Sequence, residues 1–260
     1  MVRSHKPTRR YGVVVSRFEG RVALITGASR GIGLAIAERL VSEGAAVVIT
    51  GRDRDALEAA VASLGENRAS GVAGKADDPE HRAAAIGHAL QRFGALDHLV
   101  NNAGVNPAWG PLSELDPEAA RKTFEVNVIA ALEWTREAAA TGGLRSVVNM
   151  ASISGTAASP NIGFYGVSKA ALINLTVQQA EELAPEVRVN ALAPAVVKTK
   201  FSKALYDGRE EAVAGGYPLA RLGVPEDVAG PASFLLSEDA AWVTGQTLLI
   251  DGGVSIRQAE

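Results

Sequence analysis

The sequence predicts an α/β chain, a doubly wound parallel sheet of about seven strands with helices on both faces. Three observations predict it. From Arg21 onward, short β-branched runs alternate with longer alanine-rich helical patterns, as they do when parallel strands are joined by crossover helices. The strand runs are apolar throughout, which suits strands buried on both faces. A glycine cluster stands between the first strand and the first helix, at the end of the sheet where such folds take their ligands.

The strands expected in order are VALIT (22–26), AVVIT (46–50), ASGVAG (69–74), HLVNN (98–102), SVVNMA (146–151), VRVNAL (187–192) and QTLLID (246–251). Between them lie the helical patterns GIGLAIAERLVSEG, DALEAAVASLG, PEHRAAAIGHALQRFG, DPEAARKTFEVNVIAALEWTREAAA and PEDVAGPASFLLSE. Pro79, Pro117 and Pro225 stand near helix starts, where a missing N–H costs nothing. No repeat, low-complexity tract or linker interrupts the order.

A chain of 260 residues with 47% hydrophobic content can bury one sizeable α/β core, so residues 21–260 are read as a single domain. Residues 1–20, MVRSHKPTRRYGVVVSRFEG, are expected to form a weakly ordered leader. The apolar run after the two arginines is broken by Ser16, Arg17 and Glu19, which does not suit an export signal. The net charge of −3 comes from 26 basic and 29 acidic residues, which gives no electrostatic reason to expect nucleic acid or an anionic membrane. Small-molecule partners are expected instead. With no cysteine, thiolate chemistry is excluded and a reducing, cytoplasmic setting is compatible. His5, His81, His88 and His98 lack ligand spacing, so no metal site is expected.

LITGASRGIG places glycines where a helix opens, so that backbone N–H groups and the helix dipole favour a pyrophosphate. Gly27, Gly31 and Gly33 permit the tight turn and the close approach. Read alone, the cluster also fits simple helix packing. At the end of the second strand an acid would bind a ribose 2′-hydroxyl, but ITGRDRD presents Gly51 and Arg52, with Arg30 in the glycine loop. Two guanidiniums suit a 2′-phosphate, so NADP(H) is favoured and NAD(H) is the second option, with Asp53 as its candidate acid.

Taken in order, TGASRGIG, NNAG, YGVSK and RVNALAP resemble the short-chain dehydrogenase/reductase family from about Arg21 to Gly253. The general look is similar to its compact members, and most to the 3-oxoacyl-[acyl-carrier-protein] reductases of fatty acid biosynthesis. The resemblance implies a Rossmann-like fold and nicotinamide-dependent hydride transfer. It implies cofactor contacts from Gly27, Ser29, Arg30, Gly31, Ile32 and Gly33, from Arg52, and from Asn102, Ala103 and Gly104 of NNAG. Asn101 also reads as a tie between strands. Pro194, Val197 and Thr199 match the segment that covers the nicotinamide carboxamide.

Asn127, in FEVNVIAAL, is a polar amide inside an apolar helical stretch, where it needs hydrogen-bond partners if buried. A structural role accounts for it equally well on the residues alone. By resemblance it is the catalytic asparagine, holding a water that links the lysine to solvent. The family's serine stands thirteen residues before the tyrosine, which selects Ser152, with Ser154 left as a turn residue. Ser152 would hydrogen-bond the substrate oxygen. Tyr165 and Lys169 are four apart and share a helical face, so the ammonium is expected to lower the phenol's pKa. Alone, such a pair reads as a solvated surface pair. With Ser152 and Asn127 it reads as the proton-transfer end of the site, and Lys169 would also bind the nicotinamide ribose.

Two departures from the family pattern stand out. Ala195 replaces the usual glycine after Pro194, and Lys75 stands where relatives carry an adenine-contacting aspartate or asparagine. Residues 199–223 are charged and glycine-interrupted, which suits a movable substrate lid. With residues 106–116 they should shape the substrate pocket, to which Ser152, Tyr165, Trp109 and Tyr206 are assigned. The resemblance implies a homotetramer or homodimer through the helices near Asn127 and Tyr165 and through the last strand. The expected reaction is ketone reduction or alcohol oxidation, first on a 3-oxoacyl thioester. A steroid, sugar or polyol substrate, or a non-catalytic NADP-binding sensor, are the alternatives.

Overall fold

A computed structural model describes residues 16–256. The strands are β1 (Val22–Ile25), β2 (Ala46–Gly51), β3 (Ala69–Ala73), β4 (His98–Asn101), β5 (Ser146–Met150), β6 (Arg188–Pro194) and β7 (Thr247–Ile250). They form one sheet in the order β3-β2-β1-β4-β5-β6-β7, parallel throughout. All seven expected strands are present. The chain moves outward from β1 to β3, then returns to pair β4 with β1, which opens a crevice between their carboxyl ends.

The helices are α1 (Gly31–Ser42), α2 (Arg54–Leu64), α3 (Pro79–Phe93), α4 (Pro117–Phe124), α5 (Ala130–Ala139), α6 (Gly163–Leu183), α7 (Glu210–Ala214) and α8 (Pro225–Leu236). Alternation along the strands divides the core into two layers. Ala23 and Ile25 of β1 pack with Ile36 and Leu40 of α1 and Ala232 and Leu236 of α8. Val22 and Leu24 point the other way, to Ala85 and Ala89 of α3, Trp134 of α5 and Ala180 of α6. The helices start where local chemistry dictates. Asp78 and Asp116 accept backbone N–H bonds from Glu80 and Glu118 at 3.0 and 3.1 Å, just before Pro79 and Pro117.

Two expectations change. The leader reaches less far than residue 20, because Phe18 is 1% exposed in the core and sets its ring edge-on to His98 at 5.4 Å. Arg17 joins Glu43 at 2.8 Å and Asp239 at 2.9 Å. Partners this remote in sequence leave no local period to detect. Residues 1–15, with His5 and the two arginines, and residues 257–260 lie outside the described residues. The long helix expected across residues 116–140 is instead α4 and α5 joined by a π-helical turn at Glu125–Ile129, which contains Asn127.

No described helix is long and apolar enough to cross a membrane. Among the described residues no cluster of three or more His, Asp or Glu side chains could hold a metal ion.

Candidate active site

The glycine loop is built from behind by the turn after β4. Asn102 donates its side-chain amide to the carbonyls of Thr26 and Gly27, both at 2.9 Å, and Thr26 Oγ1 accepts the N–H groups of Asn102 and Ala103 at 3.0 Å. Gly27 and Gly31 have φ of +63° and +61°, the left-handed region that favours glycine. A Cβ on Gly33 would lie 2.6 Å from Asn102 Nδ2 and 2.8 Å from the Ala28 Cα, so only glycine fits. Arg30 caps α1 in an extended conformation without a side-chain hydrogen bond. The first-turn N–H groups of α1 are therefore left for a ligand.

At the end of β2, Gly51 is buried and Arg52 is exposed. Arg30 is also exposed, and among the described residues neither arginine forms an ion pair. Asp53, the acid considered for a ribose, instead caps α2 by accepting the Ala56 N–H at 3.2 Å. Near Lys75 the acids are also engaged, Asp77 by Lys122 and Asp78 at the start of α3.

The four candidate catalytic residues come from two elements, the π-helical turn and α6, and from the turn after β5. Asn127 is buried in the π-helical turn. Its Oδ1 accepts the Val105 N–H at 2.8 Å, and its Nδ2 donates to the Val105 carbonyl and to Ser168 Oγ, both at 3.0 Å. Its side chain thereby pins the chain just past NNAG. Asn101 ties β4 to β5 through Asn149 Oδ1 at 2.8 Å and to α5 through Thr135 at 3.0 Å, the structural role open to it on sequence.

Ser152 follows β5, and its hydroxyl accepts the Ser154 N–H at 3.2 Å and reaches the Pro194 carbonyl at 3.5 Å. The turn it opens docks on α6, since a Cβ on Gly166 would meet the Ser154 carbonyl at 2.6 Å. That contact places Tyr165 next to Ser152. Lys169, 3% exposed, donates to the Met150 carbonyl at 2.7 Å, and its Nζ stands 5.5 Å from the centre of the Tyr165 ring.

Electrostatics here differ from the expectation. Burial pushes the Tyr165 phenol up to about 12, partly offset by the Ser152 hydroxyl, and burial lowers the Lys169 ammonium to about 8. Loss of water is the largest cause at both groups, so the phenol stands above its ordinary value and not below it.

After β6, Val197 bridges to Gly223, and Thr199 stands over the glycine loop, its Cγ2 3.4 Å from where a Gly31 Cβ would be. Ala195 joins β7 by donating to the Ile250 carbonyl at 3.0 Å. Tyr206, assigned to substrate, donates its hydroxyl to the Thr199 carbonyl at 3.3 Å, and Trp109 is 55% exposed on the loop after β4. The ring that contacts Tyr165 is Phe201, at 6.0 Å between centroids. Phe201, Ser202 and Tyr217 were not legible as site residues, because only the folding of the 199–223 segment brings them to the cover. Tyr217 accepts the Val196 N–H at 3.3 Å and lines a cavity of about 170 Å³ between the end of that segment and β7.

These residues fit a dinucleotide. The glycine loop has the approach room and the unpaired helix start that a pyrophosphate needs. Gly104 leaves open the space between Asn127 Oδ1 and Lys169 Nζ, which a Cβ would approach to 3.4 and 3.5 Å.

Comparison with known proteins agrees with this geometry. A family model described as Enoyl-(Acyl carrier protein) reductase matches residues 27–255. The chain is similar to "Dehydrogenase/reductase SDR family member 4" of Caenorhabditis elegans, 42% identical over 93% of this chain and 97% of that one. The human protein of the same name is also 42% identical, over 91% of this chain and 88% of its own. A crystal structure from Brucella melitensis, titled short-chain dehydrogenase/reductase SDR:Glucose/ribitol dehydrogenase, superposes with a TM-score of 0.87 at 33% identity. It covers 94% of this chain and 99% of that one. The names of these relatives point to another branch than the 3-oxoacyl-[acyl-carrier-protein] reductases.

Proposed function

This chain belongs to the short-chain dehydrogenase/reductase family and is an oxidoreductase of carbonyl and alcohol groups that binds NAD(P)(H); from that premise we propose an NADP(H)-dependent ketone reductase in which Tyr165 is the acid. One observation carries the proposal: Asn127, Ser152, Tyr165 and Lys169 gather beyond β5, beside the open position at Gly104. The nicotinamide, when bound, supplies the hydride to the carbonyl carbon or accepts it from the alcohol.

In reduction, Ser152 donates a hydrogen bond to the substrate oxygen as negative charge builds there, and Tyr165 gives that oxygen its proton. A phenol near 12 holds its proton firmly before turnover. Lys169 would hold the ribose and, as an ammonium, steady the phenolate that Tyr165 becomes once it has given up its proton, and Asn127 would hold the water through which that proton is replaced from solvent. Ser29, Ile32, Asn102, Ala103, Pro194, Val197 and Thr199 form the remaining walls of the cofactor cleft.

NADP(H) is preferred over NAD(H) in this reading, because among the described residues Arg30 and Arg52 form no ion pair and Asp53, next to Arg52, is engaged in capping α2. Exposed Phe201, Trp109 and Leu219 favour an apolar carbonyl compound over a sugar or polyol. A 3-oxoacyl thioester is the first substrate to try, and a steroid ketone the second. Exposed Leu248 and Leu249 on β7, with Trp242 and Phe234, supply apolar surface for the proposed homotetramer or homodimer. The cysteine-free composition suits the proposed cytoplasmic location.

The test is NADPH oxidation by purified protein against 3-oxoacyl thioesters, steroid ketones, sugars and quinones, repeated with Tyr165→Phe. Turnover that vanishes in Tyr165→Phe supports the enzyme. Nucleotide binding without turnover on any substrate favours the sensor.

A further inference from the structure

One hydroxyl ties together several groups of the segment proposed to cover the nicotinamide. Ser202 Oγ donates to the Val197 carbonyl, accepts the Thr199 N–H at 3.3 Å and lies 3.0 Å from Thr199 Oγ1. Thr199 Oγ1 in turn accepts the Ser202 N–H at 3.3 Å. Ser202 is 8% exposed, so these bonds form with little competition from water. The groups it engages are the Val197 backbone and the Thr199 hydroxyl, the pair assigned to the nicotinamide end.

A serine in a short loop often does no more than close its own turn. Ser202 reaches beyond its turn, to a carbonyl five residues back, and its neighbours carry the consequence in two directions. Phe201, next to it in the chain, rests on the ring of Tyr165. Tyr206 fixes the Thr199 carbonyl from the far side of the same loop. On the opposite edge Gly223 pairs with both Val196 and Lys198, by bonds of 3.1 and 2.8 Å. The cover is thus anchored at Gly223 on one edge and at Ser202 on the other, and the Ser202 side also carries a ring that touches the proposed acid.

We propose that Ser202 is a positioning residue for the nicotinamide end of the cofactor, acting through Val197 and Thr199 and not by contact with the reacting atoms. The inference rests on the dinucleotide reading of the site. Removing the hydroxyl frees the Val197 carbonyl and the Thr199 side chain from their shared partner. The adenosine end, held at the glycine loop and Arg52, keeps its contacts.

The experiment compares whole cofactors with their adenosine fragments by titration calorimetry, independently of turnover. Wild type, Ser202→Ala and Tyr206→Phe are titrated with NADPH and 2′,5′-ADP, and with NADH and ADP, so that the cofactor preference does not decide the outcome. Ser202→Ala is expected to weaken dinucleotide binding about tenfold, the effect of losing one well-placed hydrogen bond, and to leave the fragments within about twofold. Equal weakening of cofactor and fragment, or no weakening, overturns the proposal. If Ser202→Ala does not fold, Tyr206→Phe decides: it removes only the bond to the Thr199 carbonyl and should cost about threefold in dinucleotide affinity alone. A loss shared by the fragments, or none, overturns the proposal in that case too. Wild-type protein that binds neither dinucleotide overturns the functional reading together with this one, whereas normal wild-type binding with unselective variants overturns this one alone.

Discussion

The side-chain amide of Asn127 donates to Ser168 Oγ at 3.0 Å, and Ser168 donates to the Tyr165 carbonyl at 2.7 Å. One serine hydroxyl therefore joins the π-helical turn to the first turn of α6, which carries both Tyr165 and Lys169. The Asn127 amide also holds the Val105 N–H and carbonyl, so the turn after β4 is fixed to the same assembly.

Replacing Asn127 by Leu leaves those two part-buried backbone groups, and the buried Ser168 hydroxyl, without this partner. A stability loss of about 1–3 kcal/mol is expected, the range for a group left unpaired away from water. Urea unfolding of the two proteins measures it. A loss under about 0.5 kcal/mol, the size of an ordinary surface substitution, would contradict the hydrogen-bond assignment.

Tyr165→Phe keeps the ring against Phe201 and removes the proton. Turnover should fall by about 10²–10⁴, the usual contribution of a positioned acid. NADPH affinity, read by nucleotide fluorescence, should change little. Retained turnover would move the acid elsewhere.

Arg30→Ala combined with Arg52→Ala removes the two exposed cations assigned to the 2′-phosphate. NADPH should bind about 10- to 100-fold more weakly, as expected for losing charge-assisted bonds to a phosphate, while NADH changes little. Equal loss for both nucleotides would refute the 2′-phosphate assignment.

Lys169 carries a pH signature. Its pKa is lowered by burial from 10.5 to about 8, so between these values the unfolded chain still binds a proton that the native chain has released. Stability relative to Lys169→Met should therefore rise from pH 8 to 10.5, by at most about 3 kcal/mol. Below pH 8 the penalty is fully present. Tyr165 acts in the opposite sense at higher pH: its pKa is raised from 10.0 to about 12, so its contribution is lost as pH climbs through that window. Denaturant midpoints of wild type and Lys169→Met at pH 7, 8, 9 and 10 test the first part, and a flat difference would exclude the buried ammonium.

Much of this molecule was legible because its signals are local. Seven apolar runs separated by helical periods specify the strands, and glycine at positions 27, 31 and 33 records a backbone path that side chains would block. The spacing of Ser152, Tyr165 and Lys169 survives folding because one short turn and one helix carry all three. The π-helical turn was not legible. Asn127 interrupts the helix to bond Val105, a residue on another element.

By itself the sequence determined the strands and the glycine-rich turn, since each depends on residues a few positions apart, and the candidate proton-transfer residues followed from the family resemblance of their motifs. Only the tertiary structure decided how those groups are tuned and covered. Burial sets Tyr165 near 12 and Lys169 near 8, and desolvation is a property of packed neighbours from across the chain. Likewise Ser202 reaches Val197, and Phe201 reaches Tyr165, only because the segment after β6 folds back over the site.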